Sequence, residues 1–227
     1  VKIIDGKFTA SFFVNTDRSN AQIATFYAGA MADASLISID DLGLTSEDIV
    51  VISPNAPNAM IKYALECQAL GLRYIFDPGQ QIIRLNEEEL RKGINGAHAL
   101  FVNEYEFELL QKHAQLSSEE ILKGLAFLVV TKGKEGATVF QNEVMLCHVP
   151  AFPETRSKDP TGVGDAFRAG FLKGYVMGFN LKLCAQMGAL AATYALEETG
   201  PQSQCFLMDE FVARFRTFFD DEGMLDL

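Results

Sequence analysis

The chain has little of what marks a secreted, membrane-spanning or nucleic-acid-binding protein. Its four cysteines, Cys67, Cys147, Cys184 and Cys205, lie far apart and form no C-x-x-C pair. That spacing points to free thiols in a reducing cytoplasm rather than to a disulfide framework. The three histidines, His98, His113 and His148, show no ligand spacing, so no structural zinc site is expected. No apolar run approaches the ~20 residues that cross a bilayer. The uncharged stretch from Leu183 to Leu196 is too short and carries Gln186 and Thr193. No signal peptide is read at the start. Basic residues are scarce: 19 Lys and Arg stand against 30 Asp and Glu, a net charge of −11. Nucleic acid and anionic membrane both demand positive charge, so neither is an expected partner. An anionic ligand must be met by local donors. A Walker A loop is absent, which disfavours a P-loop NTPase. There is no internal repeat, low-complexity tract or long linker.

What is present is a globular composition, 48% hydrophobic over 227 residues, enough for one large α/β domain. Asp5-Gly6 is a two-residue hairpin signal between Val1 to Ile4 and Lys7 to Val14. A second hairpin is expected from Thr9 to Thr16 and Gln22 to Ala28, turning at Asp17 to Asn20. From Gly29 onward strand and helix patterns alternate, which predicts a mostly parallel sheet flanked by helices. The one boundary falls there, with β hairpins over 1–28 and an α/β core over 29–227.

Within the core, Ile49 to Ser53, Leu72 to Phe76, Ala99 to Val102 and Ala126 to Val130 read as buried strands. Asn58 to Leu70 and Glu87 to Ile94 read as helices, and Ser117-Ser118-Glu119-Glu120 as a capping box. Ala137 to Gln141 and Val144 to Val149 flank Asn142-Glu143 as a hairpin. Phe211, Phe215, Phe218 and Phe219 are spaced as one amphipathic final helix. Ligands in such sheets bind at the carboxyl ends of strands. Asp77 and Gln80, in Asp77-Pro78-Gly79-Gln80 after one strand, are therefore candidates, against a plain turn. Asn103 and Glu106 share one side of a helix start, where an N-cap with an acidic first turn is the simpler explanation. The Thr131-Lys132-Gly133-Lys134-Glu135-Gly136 run needs no more than a glycine turn to explain it.

The most informative stretch is Asp159-Pro160-Thr161-Gly162-Val163-Gly164-Asp165-Ala166-Phe167. It opens a predicted helix from Val163 to about Met177. Glycines on either side of Val163 allow a tight turn and close ligand approach. The unpartnered first N–H groups of a helix, aided by its dipole, make an anion site. Asp165 at that site can accept a hydroxyl proton. Ala166, Gly170 and Gly174 form a smooth ridge for close packing, and Phe167, Phe171 and Tyr175 an aromatic one. Arg168 faces phosphate or substrate, or is a solvated helix charge.

The run D-P-T-G-V-G-D-A-F-R-A-G-F resembles the C-terminal signature of the ribokinase-like (phosphofructokinase B) family of sugar and nucleoside kinases. F-Y-A-G-A-M, F-D-P-G-Q and G-D-A-F-R-A-G together are most similar to bacterial adenosine-kinase-like members. The resemblance covers essentially the whole chain and corresponds to the family's later two-thirds. The family's N-terminal part, with its Gly-Gly substrate motif, has no counterpart here. The resemblance implies a ribokinase-like α/β fold in which the early hairpins form a small β lid, with Phe13 stacking on a base or sugar. It implies that Asp165 is the catalytic base and Gly162, Val163 and Gly164 the anion hole. It places Asp77 and Gln80 near the phosphate path. It implies that Asn103 and Glu106 organise Mg²⁺, phosphate and water, and that Thr131, Gly133 and Gly136 form the nucleotide-side loop. Helix residues between Leu183 and Leu196 would wall the adenine pocket. Asp159 and Thr161 resemble a monovalent-cation (K⁺) site of some relatives. Pro201 departs from the pattern, standing where adenosine-kinase-like members have Thr.

The expected function is a Mg·ATP-dependent kinase acting on a hydroxymethyl group of an adenosine-like nucleoside or a sugar. Two alternatives are a sugar kinase of the same family and a truncated, non-catalytic nucleotide-binding or regulatory protein. NAD binding is not expected. G-V-G-D-A-F nearly fits the dinucleotide fingerprint, but Pro160 spoils the preceding strand and no acid occurs from Ala166 to Leu196.

Overall fold

The computed structural model describes residues 2–17 and 22–226. The turn expected at Asp17 to Asn20 lies outside the described residues from Arg18 on. Among the described residues two sheets are present. A two-stranded antiparallel sheet pairs β1 (Ser11–Thr16) with β2 (Gln22–Tyr27), with Phe12 opposite Phe26 and Phe13 opposite Thr25. The larger sheet has six strands, adjacent in chain order: β3 (Ile49–Ile52), β4 (Arg73–Phe76), β5 (Ala99–Asn103), β6 (Phe127–Thr131), β7 (Ala137–Gln141) and β8 (Val144–Val149). β3 to β5 run parallel, in registers that set Val50 against Tyr74 and Ile75 against Ala99. Parallel strands covered on both faces read as unbroken apolar runs. β4, β5 and β6 are accordingly buried over nearly their whole length. This is the α/β architecture, strands alternating with helices, that the sequence pattern predicted.

The described chain divides into two compact units. The first takes in 2–17, 22–130 and 140–144. It carries α1 (Pro57–Leu70), α2 (Glu87–Ile94), α3 (Glu104–Ala114) and α4 (Ser118–Leu122). Three of these helices start with reciprocal capping boxes: Asn86 with Glu89, Asn103 with Glu106, and Ser117 with Glu120. Each box satisfies donors that the first turn leaves unpaired. The core of this unit is built from Met60, Tyr74, Phe76, Ile82, Leu90 and Leu100, all fully buried.

The signal at Asp5-Gly6 produces a turn and no strand. The Lys7 N–H donates to the Ile4 carbonyl at 3.2 Å, and Gly6 has φ +75°. Residues 7–10 are not in a ladder with the segment before them. The Phe8 carbonyl instead accepts from the Ala30 N–H at 2.8 Å, so a local hairpin loses its acceptor to a later turn.

The second unit takes in 131–139 and 145–226 and carries α5 (Val163–Val176), α6 (Leu181–Leu196) and α7 (Met208–Phe215). The small ridge of α5 works as its spacing predicted. A methyl group placed on Gly170 would come within 2.7 Å of Ala191 Cβ and 2.8 Å of the Met187 carbonyl on α6. One on Gly174 would come within 2.9 Å of Met187 Sδ. The final helix is shorter than its aromatic spacing suggested. It ends at Phe215, and Phe218 and Phe219 lie in the turn that follows. Phe211, Phe215 and Phe219 are buried but Phe218 is exposed.

The 131–136 turn has a glycine fixed by packing. Gly136 adopts φ +97°, and a Cβ there would lie 2.0 Å from the Val149 carbonyl oxygen. Gly136→Ala should therefore cost about 3 kcal/mol of stability, positive φ and overpacking adding together. Urea unfolding of the variant checks this; an unchanged midpoint would show that the turn relaxes freely.

Candidate active site

The signature stretch forms a turn laid on the start of α5. Asp159 carboxylate oxygens accept from the Thr161 N–H at 2.9 Å and from the Gly200 N–H at 3.0 Å. Hydrogen bonds from Thr161, then from Gly200, hold the Asp159 carboxyl below its ordinary value. Gly162 is the N-cap residue, at φ +80° and ψ 3°, a left-handed conformation that favours glycine. Its missing side chain also lets Pro201 close in, since a Cβ would sit 2.6 Å from Pro201 Cβ. Among the described residues no side chain caps this helix, and none lies within 4 Å of where a Cβ on Gly164 would be. The Val163 N–H donates to the Pro160 carbonyl at 3.4 Å; the rest of this uncapped first turn, open at Gly164, offers donors of the kind an anionic ligand needs.

Asp165 stands in that first turn with its side chain 74% exposed, and it is not sealed in packing. Arg168 Nη2 donates to Asp165 Oδ1 at 2.7 Å. The Arg168 side chain is only 12% exposed, which excludes the solvated-charge alternative. Desolvation raises the Asp165 carboxyl above its ordinary value and lowers the Arg168 guanidinium. Their ion pair opposes both shifts. Asp165 is thus an accessible carboxylate held by one ion pair.

Asp159, Thr161, Gly162, Val163, Gly164, Asp165 and Arg168 are therefore contiguous in one turn and helix start. Thr131, Gly133 and Gly136 belong to the same unit. There the Lys132 N–H donates to the Gly136 carbonyl at 2.7 Å, closing the turn. Gly133, at φ +56°, has open space where a Cβ would point.

The other candidates lie in the first unit. Asn103 Oδ1 accepts from the Glu106 N–H at 2.8 Å, and Glu106 Oε2 accepts from the Asn103 N–H at 2.8 Å. The structural explanation of this pair is thus realised in full, and Glu106 Oε1 remains outside the box. Asp77 follows β4, its N–H donating to the Ile52 carbonyl at 2.9 Å. Gln80 is exposed, whereas its neighbour Gln81 is 5% exposed with Oε1 buried and unpartnered. A buried amide oxygen without a donor is costly, so Gln81 is the better ligand candidate of the two. No sequence signal separates adjacent glutamines in D-P-G-Q-Q. Phe13 is 64% exposed on the small sheet.

Among the described residues no group of three or more His, Cys, Asp or Glu is arranged to hold a metal. No helix of the described residues is long and apolar enough to cross a membrane.

The pfkB family carbohydrate kinase profile matches residues 1–207. The chain belongs to that family. It is 31% identical over 206 residues to a nucleoside kinase of Methanocaldococcus jannaschii, covering 91% of this chain and 67% of that protein. The structure of Burkholderia thailandensis nucleoside kinase in complex with inosine superposes with a TM-score of 0.89 at 30% identity, covering 94% of this chain and 70% of that one. Adenosine kinase from Sinorhizobium meliloti shares the fold, with a TM-score of 0.76 at 22% identity over 95% of this chain and 68% of that one.

Proposed function

We propose that the chain is an ATP-dependent nucleoside kinase that phosphorylates the primary hydroxyl of a purine nucleoside. The observation that carries this reading is the glycine-led, uncapped start of α5 with the exposed Asp165 in its first turn. Relatives at 30 and 31% identity, one an inosine complex, support a nucleoside over a sugar.

Asp165 takes the proton from the acceptor hydroxyl as its oxygen bonds to phosphorus. The Gly162 to Gly164 amides hold the charge on the transferring group, acting as fixed donors that need no reorganisation. Arg168 holds Asp165 in place until the hydroxyl arrives. Bound ATP would supply the γ-phosphoryl group, ADP would leave, and Mg²⁺ would neutralise the phosphates. Asn103 and Glu106 would meet that ion through water. Thr131 and Gly133 would line the nucleotide side, with Gly136 shaping their turn. Phe13 would stack on the acceptor as part of a lid formed by 1–28 over the 29–227 core, with Asp77, Gln80 and the buried Gln81 also on the substrate side. A K⁺ ion beside Asp159 and Thr161 completes the proposal, since Asp159 stays ionised and its oxygens keep further lone pairs.

A coupled ADP-release assay with purine nucleosides, pyrimidine nucleosides and sugars tests this reading. Inosine or adenosine should be the strongest acceptors. Turnover with sugars alone would make the protein a sugar kinase, and ATP binding without any acceptor would make it a binding module.

A further inference from the structure

We propose that Glu197 and Arg214 are a positioning pair that holds the phosphate-binding turn in register from behind. This inference rests on the kinase reading of the α5 start.

Glu197 is 7% exposed and sits just past the last residue of α6. A carboxylate at a helix C-terminus faces the negative end of the dipole, and α6 has no basic residue in its last turn. Glu197 therefore does not serve its own helix. Its oxygens gather donors from two other places instead. Arg214, on α7, donates from Nη1 to Oε2 at 2.8 Å and from Nη2 to Oε1 at 2.7 Å. Thr155 donates to Oε1 from its N–H at 2.7 Å and from its hydroxyl at 3.0 Å. Arg214 is itself set between rings, 4.5 Å from the Tyr194 centroid and 5.5 Å from that of Phe152. These hydrogen bonds outweigh the opposing effect of burial and hold the Glu197 carboxyl down at about 2.

The donors matter because of where the segment from Thr155 leads. It runs along the end of α6 as that helix's cap. The Lys158 and Asp159 N–H groups donate to the Leu196 carbonyl at 2.9 and 3.3 Å. Arg156 Nε donates to the Glu197 carbonyl at 3.1 Å, and Lys158 Nζ to Glu198 Oε2 at 2.8 Å. Asp159 then grips Gly200, and Gly162 packs on Pro201. From Thr155 to Gly162 the chain is laced onto 196–201, with Glu197 at one end and the anion-binding turn at the other. Displacing the Glu197 end frees the lacing that sets the amides of Gly162 to Gly164. Positions that bind charge only in the transition state affect turnover more than acceptor binding.

The test compares Arg214→Gln and Glu197→Gln with Arg216→Ala. Arg216 makes an equally close bidentate pair with Asp221, at 2.9 and 2.8 Å, that does not touch the turn. The first two variants should lower kcat per folded molecule roughly 10²-fold, the effect of a displaced catalytic group, with acceptor KM within about threefold. Amide exchange of Asp159 and of 161–164 should quicken in both. Arg216→Ala should lower thermal stability and leave kcat and those amides unchanged. If Arg214→Gln fails to fold, Arg214→Lys keeps the charge without the fork and should give an intermediate kcat. Equal effects from Arg216→Ala, or loss of stability alone in the first two variants, would overturn the proposal. If the wild type turns over no acceptor, the kinase reading fails; amide exchange of Asp159 and of 161–164 and ADP affinity then decide the positioning role by themselves.

Discussion

Asp165→Asn should lower kcat by about 10³-fold, the contribution of a general base to proton transfer. Affinity for ATP should stay within about threefold, because the amides that bind its phosphates are backbone groups that the substitution leaves in place. The variant should fold, since the asparagine carbonyl can still accept from Arg168 where Oδ1 does now, at 2.7 Å. Single-turnover kinetics with saturating ATP, alongside calorimetric ATP binding, separates the two expectations. Undiminished turnover would remove Asp165 from the chemistry. The pH profile gives a second reading. Only ionised Asp165 accepts a proton, so activity is lost as pH falls through its pKa. Partial desolvation by its surroundings places that pKa above the ordinary carboxylate value, and the Arg168 ion pair opposes that shift. Arg168→Ala should therefore move the acid limb of kcat/KM to higher pH, a shift that loss of packing alone does not produce.

The architecture was legible wherever period and punctuation agreed. Glu87 to Ile94 is helical over the expected range, and the hairpin around Asn142 and Glu143 has the expected strands, with both turn residues at positive φ, 50° and 66°. The α5 ridge of Ala166, Gly170 and Gly174 was readable because close helix contact leaves room for nothing larger. Asp5-Gly6 misled because turn chemistry is local and strand pairing is not. Its neighbour Phe8 spends its carbonyl on Ala30, a partner that no short window reveals. The phenylalanine spacing at the C-terminus misled similarly: burial of Phe219 needs the right direction, which a turn supplies as well as a helix.

The site was legible in its backbone part and hidden in its supports. Two glycines and an aspartate announce an anion-binding helix start. That Gly162 faces Pro201 and that Asp159 grips Gly200 depends on residues about 40 positions away, and Glu197 collects an arginine 17 positions on. Nothing in E-E-T-G says which glutamate is buried. The structure separates Glu197, with 7% exposure, from Glu198, which pairs at the surface with Lys158. Pro201 departs from the Thr of adenosine-kinase-like members. Its place against Gly162 gives it a steric role in holding the turn.

Gly162→Ala should lower kcat by about 10²-fold, the cost of misplacing one donor to a developing negative charge. Two independent constraints meet at this residue. Its φ of +80° costs an L-residue roughly 1–2 kcal/mol, and the added methyl would lie 2.6 Å from Pro201 Cβ. Pro201 is held by its ring and by the Asp159 to Gly200 hydrogen bond beside it, so the turn carrying the amides is the part that gives way. Gly164→Ala is the informative contrast. Its Cβ would meet no protein atom within 4 Å, and alanine in a helical position favours folding by up to about 1 kcal/mol. Thermal stability should hold or rise in this variant while ATP binding weakens, because the methyl enters the space assigned to phosphate. Stability and ATP affinity both unchanged in Gly164→Ala would mean that the open space before α5 takes no ligand. The anion-hole assignment of Gly162 to Gly164 would then fail, whatever Gly162→Ala does to the rate.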